Sequence, residues 1–450
     1  MSRENSYKYF IIGIIFLGSI LRLTIFWVSP INNSFDDHLE VIKIYSENFN
    51  RPHPFQCWEC YQPPLYYYIA AKVFNLTKFL GFDNYACWKI VQLINPLLSI
   101  ILLIIAYKIL ALLNVSKIII SVILSFLIAL PRDIMTSAMI GNDYMLVFFT
   151  ILSFYCFLKT LFFIKDGLSG RLYFFLMTLF VTLGCFTKQH GLLLYLFPFS
   201  LLFYIIRERV TNKLFWLIPV LFISLFISFS DELWRFNKTG RILVSNQDYF
   251  DFAKNQSPGS LDKVEFFSFR IIELFKKPFL SDKTSSSFFT ELFARTFYDY
   301  EWRFFSPKIP FYNTLGVIAY TLGLIWLIYF LSICFTYFKS SKIYSNKVSL
   351  FTIVTLFSPL ILSFLFMLVP VLQTIRFPYF SSMKSMFMLS GIILLIITLG
   401  SKIQLNTFIY RLSIIVLSLN IFFSTLFVYS ISAYIGVSLN HLSGPLWQIP

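Results

Sequence analysis

The amino-acid sequence predicts an all-α polytopic membrane protein, and both its composition and its hydropathy pattern support that fold class. Of its 450 residues, 57% are hydrophobic and only 13% are charged, which leaves too little polar surface to cover a soluble globule. Apolar runs of about twenty residues, long enough to cross a bilayer as helices, recur between charged residues, Pro and Gly. The short alternating segments of a membrane barrel are absent from the sequence.

Hydropathy predicts about eleven membrane spans. They cover approximately residues 8–29, 88–112, 117–131, 141–164, 171–187, 190–206, 213–230, 312–338, 348–370, 385–401 and 409–432. Hydropathy does not fix the ends of these spans, and the short fifth and sixth spans could be divided differently. The first run continues past Arg22 to the bulky Trp27 without a small-residue cleavage site, so we expect it to remain as a span.

The net charge of +15 is explained by basic residues in short loops beside the spans. These are Arg3, Lys8, Lys117, Lys165, Arg171, Arg207, Arg209, Lys213, Lys339, Lys342, Lys347, Lys402 and Arg411. By the positive-inside rule this face, with the N-terminus, is cytoplasmic. Anionic membrane lipids are therefore the expected partners of this charge, and nucleic acid is not.

The opposite face holds the longer connections. We divide the chain into an N-terminal transmembrane module, 1–230, with a first loop at 30–87, a second non-cytoplasmic segment at 231–311, and a C-terminal transmembrane module, 312–450. Segment 231–311 is too short and too aromatic for a separate soluble domain, so we expect a lid of short helices over the bundle.

The first loop is predicted to contain two short helices along the membrane interface. Residues 37–49 have an amphipathic pattern, and Pro63-Pro64 precedes the apolar run 65–71. Proline favours a helix start, and tyrosines in such a run are typical of headgroup depth.

The loop also contains Cys57, Cys60 and Cys87. A lone CxxC lacks the second ligand pair of a zinc site. A disulfide fits if the loop faces an oxidising compartment, and the sequence leaves its pairing open. The other cysteines, Cys156, Cys185 and Cys334, lie in apolar runs and are predicted to be small core residues.

Acidic residues after the first span are candidates for catalysis. Asp36, Asp37 and His38 follow it directly, and a carboxylate at an apolar boundary can serve as a base. The structural alternative is a helix capped by an aspartate. Asp143 opens a span, and Arg132 and Asp133 close the previous one. For these, a helix cap and a local ion pair are the alternatives.

Cations on the same face predict a phosphate site. Lys188 and His190 lie in a short turn, while Arg376 and Lys384 flank another. Together with Arg22 they would bind a ligand phosphate, and contact with lipid headgroups is the alternative. The histidines also leave a divalent metal open, although no ligand spacing such as HExxH supports one.

Signatures of soluble nucleotide chemistry are missing. The sequence has no P-loop, no GxGxxG, no GxSxG and no DxD flanked by a soluble α/β domain. If the protein is an enzyme that transfers a group, its donor should be a lipid.

Several motifs follow one another on the predicted non-cytoplasmic face. They are Leu21-Arg22-Leu23, Asp36-Asp37, Gln62-Pro63-Pro64-Leu65-Tyr66-Tyr67, Asn142-Asp143, Thr187-Lys188-Gln189-His190-Gly191, and Lys384 ahead of Met386-Phe387-Met388-Leu389. In this order they resemble membrane glycosyltransferases of the GT-C fold, in the branch of protein O-mannosyltransferases and aminoarabinose transferases (glycosyltransferase families 39 and 83). The resemblance covers most of residues 10–200.

The resemblance implies inverting transfer of a sugar from a polyprenyl-phosphate donor to a lipid, glycan or protein acceptor. Asp36 matches the acidic residue that activates the acceptor, Asp143 the second acidic position, and Lys188 and Lys384 the groups that hold the lipid phosphate. The remaining substrate-binding candidates are Asp37, His38, Glu59, Tyr61, Gln62, Arg132, His190 and Arg376. Tyr61-Gln62 replaces the family's Glu-Lys or His before Pro-Pro, which puts its metal ligand in doubt.

The composition, rich in Ile, Phe, Lys, Asn and Ser, favours a bacterial inner membrane with the site facing the periplasm. The sequence also has N-glycosylation sequons at Asn32, Asn75, Asn237 and Asn255. The membrane of a eukaryotic endoplasmic reticulum is therefore an alternative location. Two other functions remain: a transporter or flippase of lipid-linked sugars, and a noncatalytic assembly subunit. A transporter would place its ionisable residues at mid-membrane depth.

Overall fold

A computed structural model describes most of the chain. The described residues are 3–31, 36–210, 214–242, 244–246, 249–250, 263–285, 287–302, 304–340, 349–376, 384–403 and 407–441. Within these ranges every regular element is a helix, and the sequence-based prediction of an all-α protein is confirmed.

Nineteen α-helices are numbered here in chain order. They are α1 (Arg3–Val28), α2 (His38–Asn48), α3 (Leu65–Phe79), α4 (Asn84–Gln92), α5 (Ile94–Leu112), α6 (Lys117–Ala129), α7 (Pro131–Ser137), α8 (Asp143–Lys165), α9 (Arg171–Cys185), α10 (Leu196–Arg207), α11 (Leu214–Thr239), α12 (Lys263–Phe266), α13 (Ile271–Lys276), α14 (Asp282–Ser285), α15 (Phe288–Phe297), α16 (Pro310–Ser340), α17 (Leu350–Arg376), α18 (Leu389–Gly400) and α19 (Thr407–His441). Two 3₁₀ turns, Gln189–Tyr195 and Ser385–Met388, lead into α10 and α18.

Each of the eleven predicted spans coincides with a helical segment of the structure. Among the described residues, eight helices are long and apolar enough to cross a membrane, and α6 with α7 forms a ninth span if this bent pair is counted as one. The remaining two predicted spans correspond to shorter apolar helices, Arg171–Cys185 and Ser385–Gly400. The polytopic prediction is thus confirmed, while a total of eleven requires both short helices to cross. Helix α11 also continues to Thr239, past the predicted domain boundary at residue 230.

The bend between α6 and α7 begins at a proline. Pro131 lacks an amide hydrogen and can occupy the first turn of a helix but not its interior, so α6 ends and α7 starts at an angle of 59°. The bend brings Asp133 to Arg22 of α1, with which it forms a fully buried ion pair. Arg22 also donates to Ser99 of α5, and Tyr144 of α8 donates to Asp133 over 2.8 Å. This network joins four helices.

The first loop contains the two predicted helices, α2 and α3. The side chain of Asp37 caps α2 by accepting from the amide of Glu40, and α3 begins directly after Pro63-Pro64. Tyr66 and Tyr67 are fully buried inside the protein, and the headgroup depth expected for them stays a prediction. Their hydroxyl groups find internal partners there, as buried phenols require.

The cysteines of the first loop pair locally. Cys57 forms a disulfide with Cys60, and Cys87 is a buried free thiol. The bridge spans Trp58 and Glu59, two residues that line the central cavity described below. The buried free thiols of Cys156 and Cys185 agree with their predicted core positions.

A close helix approach positions the turn that carries Lys188. Gly191 lies so near the end of α9 that a Cβ at this position would stand 2.2 Å from the carbonyl oxygen of Gly184. Only glycine permits this approach. The turn is therefore held directly against α9, and Lys188 is extended at its start.

Segment 231–311 is attached to the bundle by buried charges. Arg295 of α15 pairs with Glu291 over 2.6 Å and with Glu301 over 2.9 Å. Arg132 of α7 donates to the carbonyl of Arg295 over 2.7 Å. Helix α15 is thus held against α7 at Arg295, which is itself fixed by two carboxylates of the same segment.

Candidate functional site

A small cavity collects most of the predicted site residues. It is lined by Asp36, His38, Trp58, Glu59, Tyr61, Gln62, Lys188, Asn246, Gln373, Lys384 and Phe387. The first loop supplies six of these residues, and the others come from the turn after α9, residues 244–246, the end of α17 and the turn before α18. Its volume of about 50 Å³ is far below the roughly 300 Å³ or more of ordinary ligand pockets. A ligand the size of a sugar would enter only if its walls separate.

Asp36 is bound by Lys384, 348 residues away in the sequence. The ammonium donates to both carboxylate oxygens, over 2.7 and 3.0 Å, and the indole of Trp58 donates to one of them over 3.4 Å. Burial alone would raise the pKa of Asp36, but the charge of Lys384 lowers it to about 2. Asp36 is therefore a carboxylate at neutral pH.

Asp143 and Lys188 form a second buried ion pair. Each side chain is only 5% exposed. Asp143 is the first residue of α8, where a carboxylate also interacts favourably with the helix dipole. The ammonium groups of Lys188 and Lys384 lie 4.7 and 6.0 Å from the centre of the Phe387 ring. Two carboxylate and lysine pairs thus share one aromatic residue.

A polar wall surrounds Glu59. Its two oxygens accept from the amide groups of Gln62, over 3.0 Å, and Asn246, over 3.3 Å, while Gln62 also donates to the hydroxyl of Tyr61. Burial, followed by the charge of Asp36, raises the pKa of Glu59 well above its ordinary value. Burial likewise raises the pKa of Tyr61. The wall is therefore rich in hydrogen-bonding groups that carry little charge.

His38 joins the cavity to the helix behind it. Its Nδ1 forms a hydrogen bond of 2.8 Å with the hydroxyl of Tyr67, and its ring packs against Gly141, the residue two positions before Asp143. Burial lowers the pKa of His38 despite the nearby charge of Asp36. The imidazole is therefore neutral at pH 7 and supports the wall without adding charge.

Three of the residues predicted to bind the substrate or its phosphate lie outside the cavity. Arg22 is in the buried network with Asp133, so its predicted part in a phosphate site was wrong, as was the predicted local pair between Arg132 and Asp133. Arg132 contacts Arg295 and lies 3.8 Å from Glu301, which makes it a structural contact to segment 231–311. His190 packs edge-on against Phe366 of α17, with ring centres 5.9 Å apart.

Arg376 and Asp37 lie at the margin of the site. Arg376 is exposed at the last residue of α17, one turn beyond Gln373 of the cavity. Asp37 is exposed and caps α2, which matches the structural alternative expected for it. Substrate binding by either residue stays a prediction.

Four cavity residues were not singled out from the sequence: Trp58, Asn246, Gln373 and Phe387. Trp58 lies inside the CxxC motif and Phe387 follows Lys384 closely, so both could have been predicted from their neighbours in the sequence. Asn246 and Gln373 carry no local signal, because only the packing of distant segments places them in the cavity.

The described residues do not fit a divalent metal. No group of three or more His, Cys, Asp or Glu side chains among them is arranged to hold a metal ion. Asp36 directs both oxygens to an ammonium group, which occupies the place that a cation would take.

Comparison with known proteins supports the resemblance predicted from the motifs. Residues 67–251 match the family described as dolichyl-phosphate-mannose-protein mannosyltransferase. The matched region includes Asp143 and Lys188 and ends beyond Asn246, while Asp36 and Lys384 lie outside it. The predicted resemblance to GT-C membrane glycosyltransferases is thereby confirmed.

Two solved structures are more distantly similar. They are ArnT from Cupriavidus metallidurans bound to undecaprenyl phosphate and the same protein in the apo state. Each is 12% identical over 89% of this chain and 78% of that chain, with a TM-score of 0.40. At this distance neither likeness assigns a ligand or an activity. No curated protein sequence matches the chain significantly.

Proposed function

From the family match we propose that this protein is a membrane glycosyltransferase that moves a sugar from a polyprenyl-phosphate donor to an acceptor nucleophile, with inversion at the sugar. The observation that carries the proposal is the pairing of two carboxylates with two lysines around one cavity. Such a set supplies both a base for the acceptor and cations for a phosphate leaving group.

Asp36 is the proposed base. As the acceptor oxygen bonds to the anomeric carbon, the bond from that carbon to the phosphate oxygen breaks, and the acceptor proton passes to Asp36. The electron pair remains on the leaving phosphate. Asp36 is suited to this role because it lines the cavity and is ionised at neutral pH.

Lys384 and Lys188 are proposed to hold the phosphate. Its negative charge grows as the bond to the sugar breaks, so cations stabilise the transition state more than the bound donor. Asp143 is proposed to orient Lys188, with which it forms a buried pair. The polar wall of Glu59, Gln62 and Asn246 supplies hydrogen-bonding groups for the hydroxyl groups of a sugar.

We propose that the cavity faces the non-cytoplasmic side. The disulfide between Cys57 and Cys60 supports this orientation, because such bonds persist in oxidising compartments. The basic loops predicted to be cytoplasmic then lie at the opposite ends of the spans. A bacterial inner membrane, with the site in the periplasm, agrees with the composition.

Transfer from radiolabelled polyprenyl-phosphate sugars, measured with the purified protein in liposomes, tests the proposal. Asp36→Asn should reduce the rate by about 10²- to 10⁴-fold, the usual contribution of a general base, and Asp143→Asn should also reduce it. Asp166→Asn, at the exposed end of α8, is the matched control and should retain wild-type activity.

The alternatives predict other results. Wild-type transfer by both cavity variants would overturn the assigned roles. Movement of labelled lipid-linked sugar across the liposome membrane without a covalent product would instead indicate a transporter or flippase.

A further inference from the structure

We propose that the donor phosphate takes Lys384 away from Asp36, so that the base becomes available only after the donor has bound. This inference rests on the proposed function and adds a coupling between the two substrates. Lys384 would thus be a shared group that restrains the carboxylate in the free protein and contacts the phosphate in the complex.

The geometry of the free site carries the argument. Both oxygens of Asp36 accept from the same ammonium, and Trp58 donates to one of them. A carboxylate held in this way is a poor proton acceptor, because the hydrogen bonds stabilise its charged form. The side chain of Asp36 is only 13% exposed, so water does little to replace the ammonium.

Among the described residues that line the cavity, the other groups that could carry positive charge are not available to the phosphate. Lys188 is paired with Asp143, and His38 is neutral at pH 7. An arriving phosphodiester therefore has to compete for a lysine that already has a carboxylate partner.

Movement of the Lys384 ammonium from Asp36 to the phosphate changes the chemistry of Asp36. When this ammonium moves to a phosphate oxygen, Asp36 keeps its charge but loses its principal counterion, and its proton affinity rises. The acceptor proton then moves to Asp36 during transfer. The leaving polyprenyl phosphate carries one more negative charge than the donor, while Asp36 carries one fewer, so the net charge of the site is unchanged.

The pH dependence of transfer distinguishes this exchange from a permanent contact. The acid limb of kcat/KM reports groups of the free protein, and that of kcat reports groups of the donor complex. With wild-type protein we expect the kcat limb to lie at a higher pH, by about 1–3 units, the usual effect of one nearby opposite charge. Coincident limbs would overturn the proposal.

Two variants complete this experiment. Lys384→Gln should move the kcat/KM limb upward until it coincides with the kcat limb, whereas a lysine that served only the phosphate would raise KM without moving either limb. Lys276→Gln, at an exposed site on α13, should keep the wild-type separation. The wild-type comparison remains decisive if Lys384→Gln does not fold.

A binding measurement separates failure of this inference from failure of the proposed function. A prenyl methyl phosphodiester has no transferable sugar, and its binding can be followed by infrared difference spectroscopy on protein with ¹³C-labelled aspartate. We expect a shift of a carboxylate band in the wild type that is absent in Asp36→Asn. The shift without any sugar transfer would support the exchange but reject the proposed function. Sugar transfer with no band shift would reject the exchange alone.

Discussion

Arg22 offers a test of whether a motif residue is structural or contacts the donor. Its guanidinium is fully buried between α1, α5 and α7, where it pairs with Asp133. Asp133→Leu would leave this charge without its partner. Removal of one member of a buried pair typically costs about 3–5 kcal/mol, so we expect a loss of that size in the free energy of unfolding.

The double variant Arg22→Met/Asp133→Leu is the informative comparison. Replacing both charges with apolar groups removes the desolvation penalty together with the attraction, and such replacements are often neutral or stabilising. We therefore expect the double variant to recover most of the stability that Asp133→Leu loses. Reversible unfolding in mixed detergent micelles, analysed as a double-mutant cycle, measures this coupling.

Donor binding by the double variant decides the functional question. If Arg22 is structural, the folded double variant should bind a polyprenyl phosphate as the wild type does, while Lys384→Gln should bind it more weakly. A folded double variant that loses binding to the same extent as Lys384→Gln would refute the structural assignment. A cost below about 1 kcal/mol for Asp133→Leu, a value typical of exposed pairs, would refute the buried pair itself.

Three further outcomes are expected from the wall and its supports. Burial and the charge of Asp36 raise the pKa of Glu59, so its carboxyl is neutral at low pH and should ionise as the pH rises through that raised pKa. Transfer activity should fall over the same pH range. The pH–rate profile of Glu59→Gln should lack this decline. Reduction of the Cys57 and Cys60 disulfide should destabilise the loop by about 2 kcal/mol and weaken donor binding, as measured by titration with and without reductant. Gly191→Ala, whose Cβ would meet a backbone oxygen at 2.2 Å, should destabilise the protein by at least about 1–3 kcal/mol and reduce transfer.

Each of these predictions has a control. Gly13→Ala adds a Cβ with nothing within 4 Å and should be tolerated, so equal losses at Gly13 and Gly191 would reject the packing argument. The Cys57→Ser/Cys60→Ser variant should be insensitive to reductant. A high-pH decline that persists in Glu59→Gln would assign that titration to another group.

The apolar spans were the most predictable part of the structure. Hydropathy located all eleven segments on helices because a helix that crosses lipid must be apolar along its own length, which is a local property. The helices of the first loop were predictable for a similar reason: Asp37 and Pro63-Pro64 are start signals within the segments that they begin. The burial of Tyr66 and Tyr67 was not predictable, because it depends on which helices pack against them.

The candidate site was only partly predictable. Its charged residues followed from the motifs, and Asp36, Glu59, Gln62, Lys188 and Lys384 do line one cavity, while the face of the membrane on which it lies stays a prediction. The pairing of the carboxylates with the lysines was not predicted. From the sequence, the lysines were expected to bind phosphate and the carboxylates to act as separate acids and bases. Burial makes an unpaired charge costly, so in the free protein Asp36 and Asp143 are each paired with a lysine.

The sequence by itself therefore determined the fold class, the helical segments and the charged residues of the cavity, because these depend on local composition and order. Only the tertiary structure decided that Arg22 pairs with Asp133 across the bundle and that Lys384 reaches Asp36 from the other end of the chain. Those partners are chosen by which charges become buried together. That choice is a property of packed helices and not of any one segment.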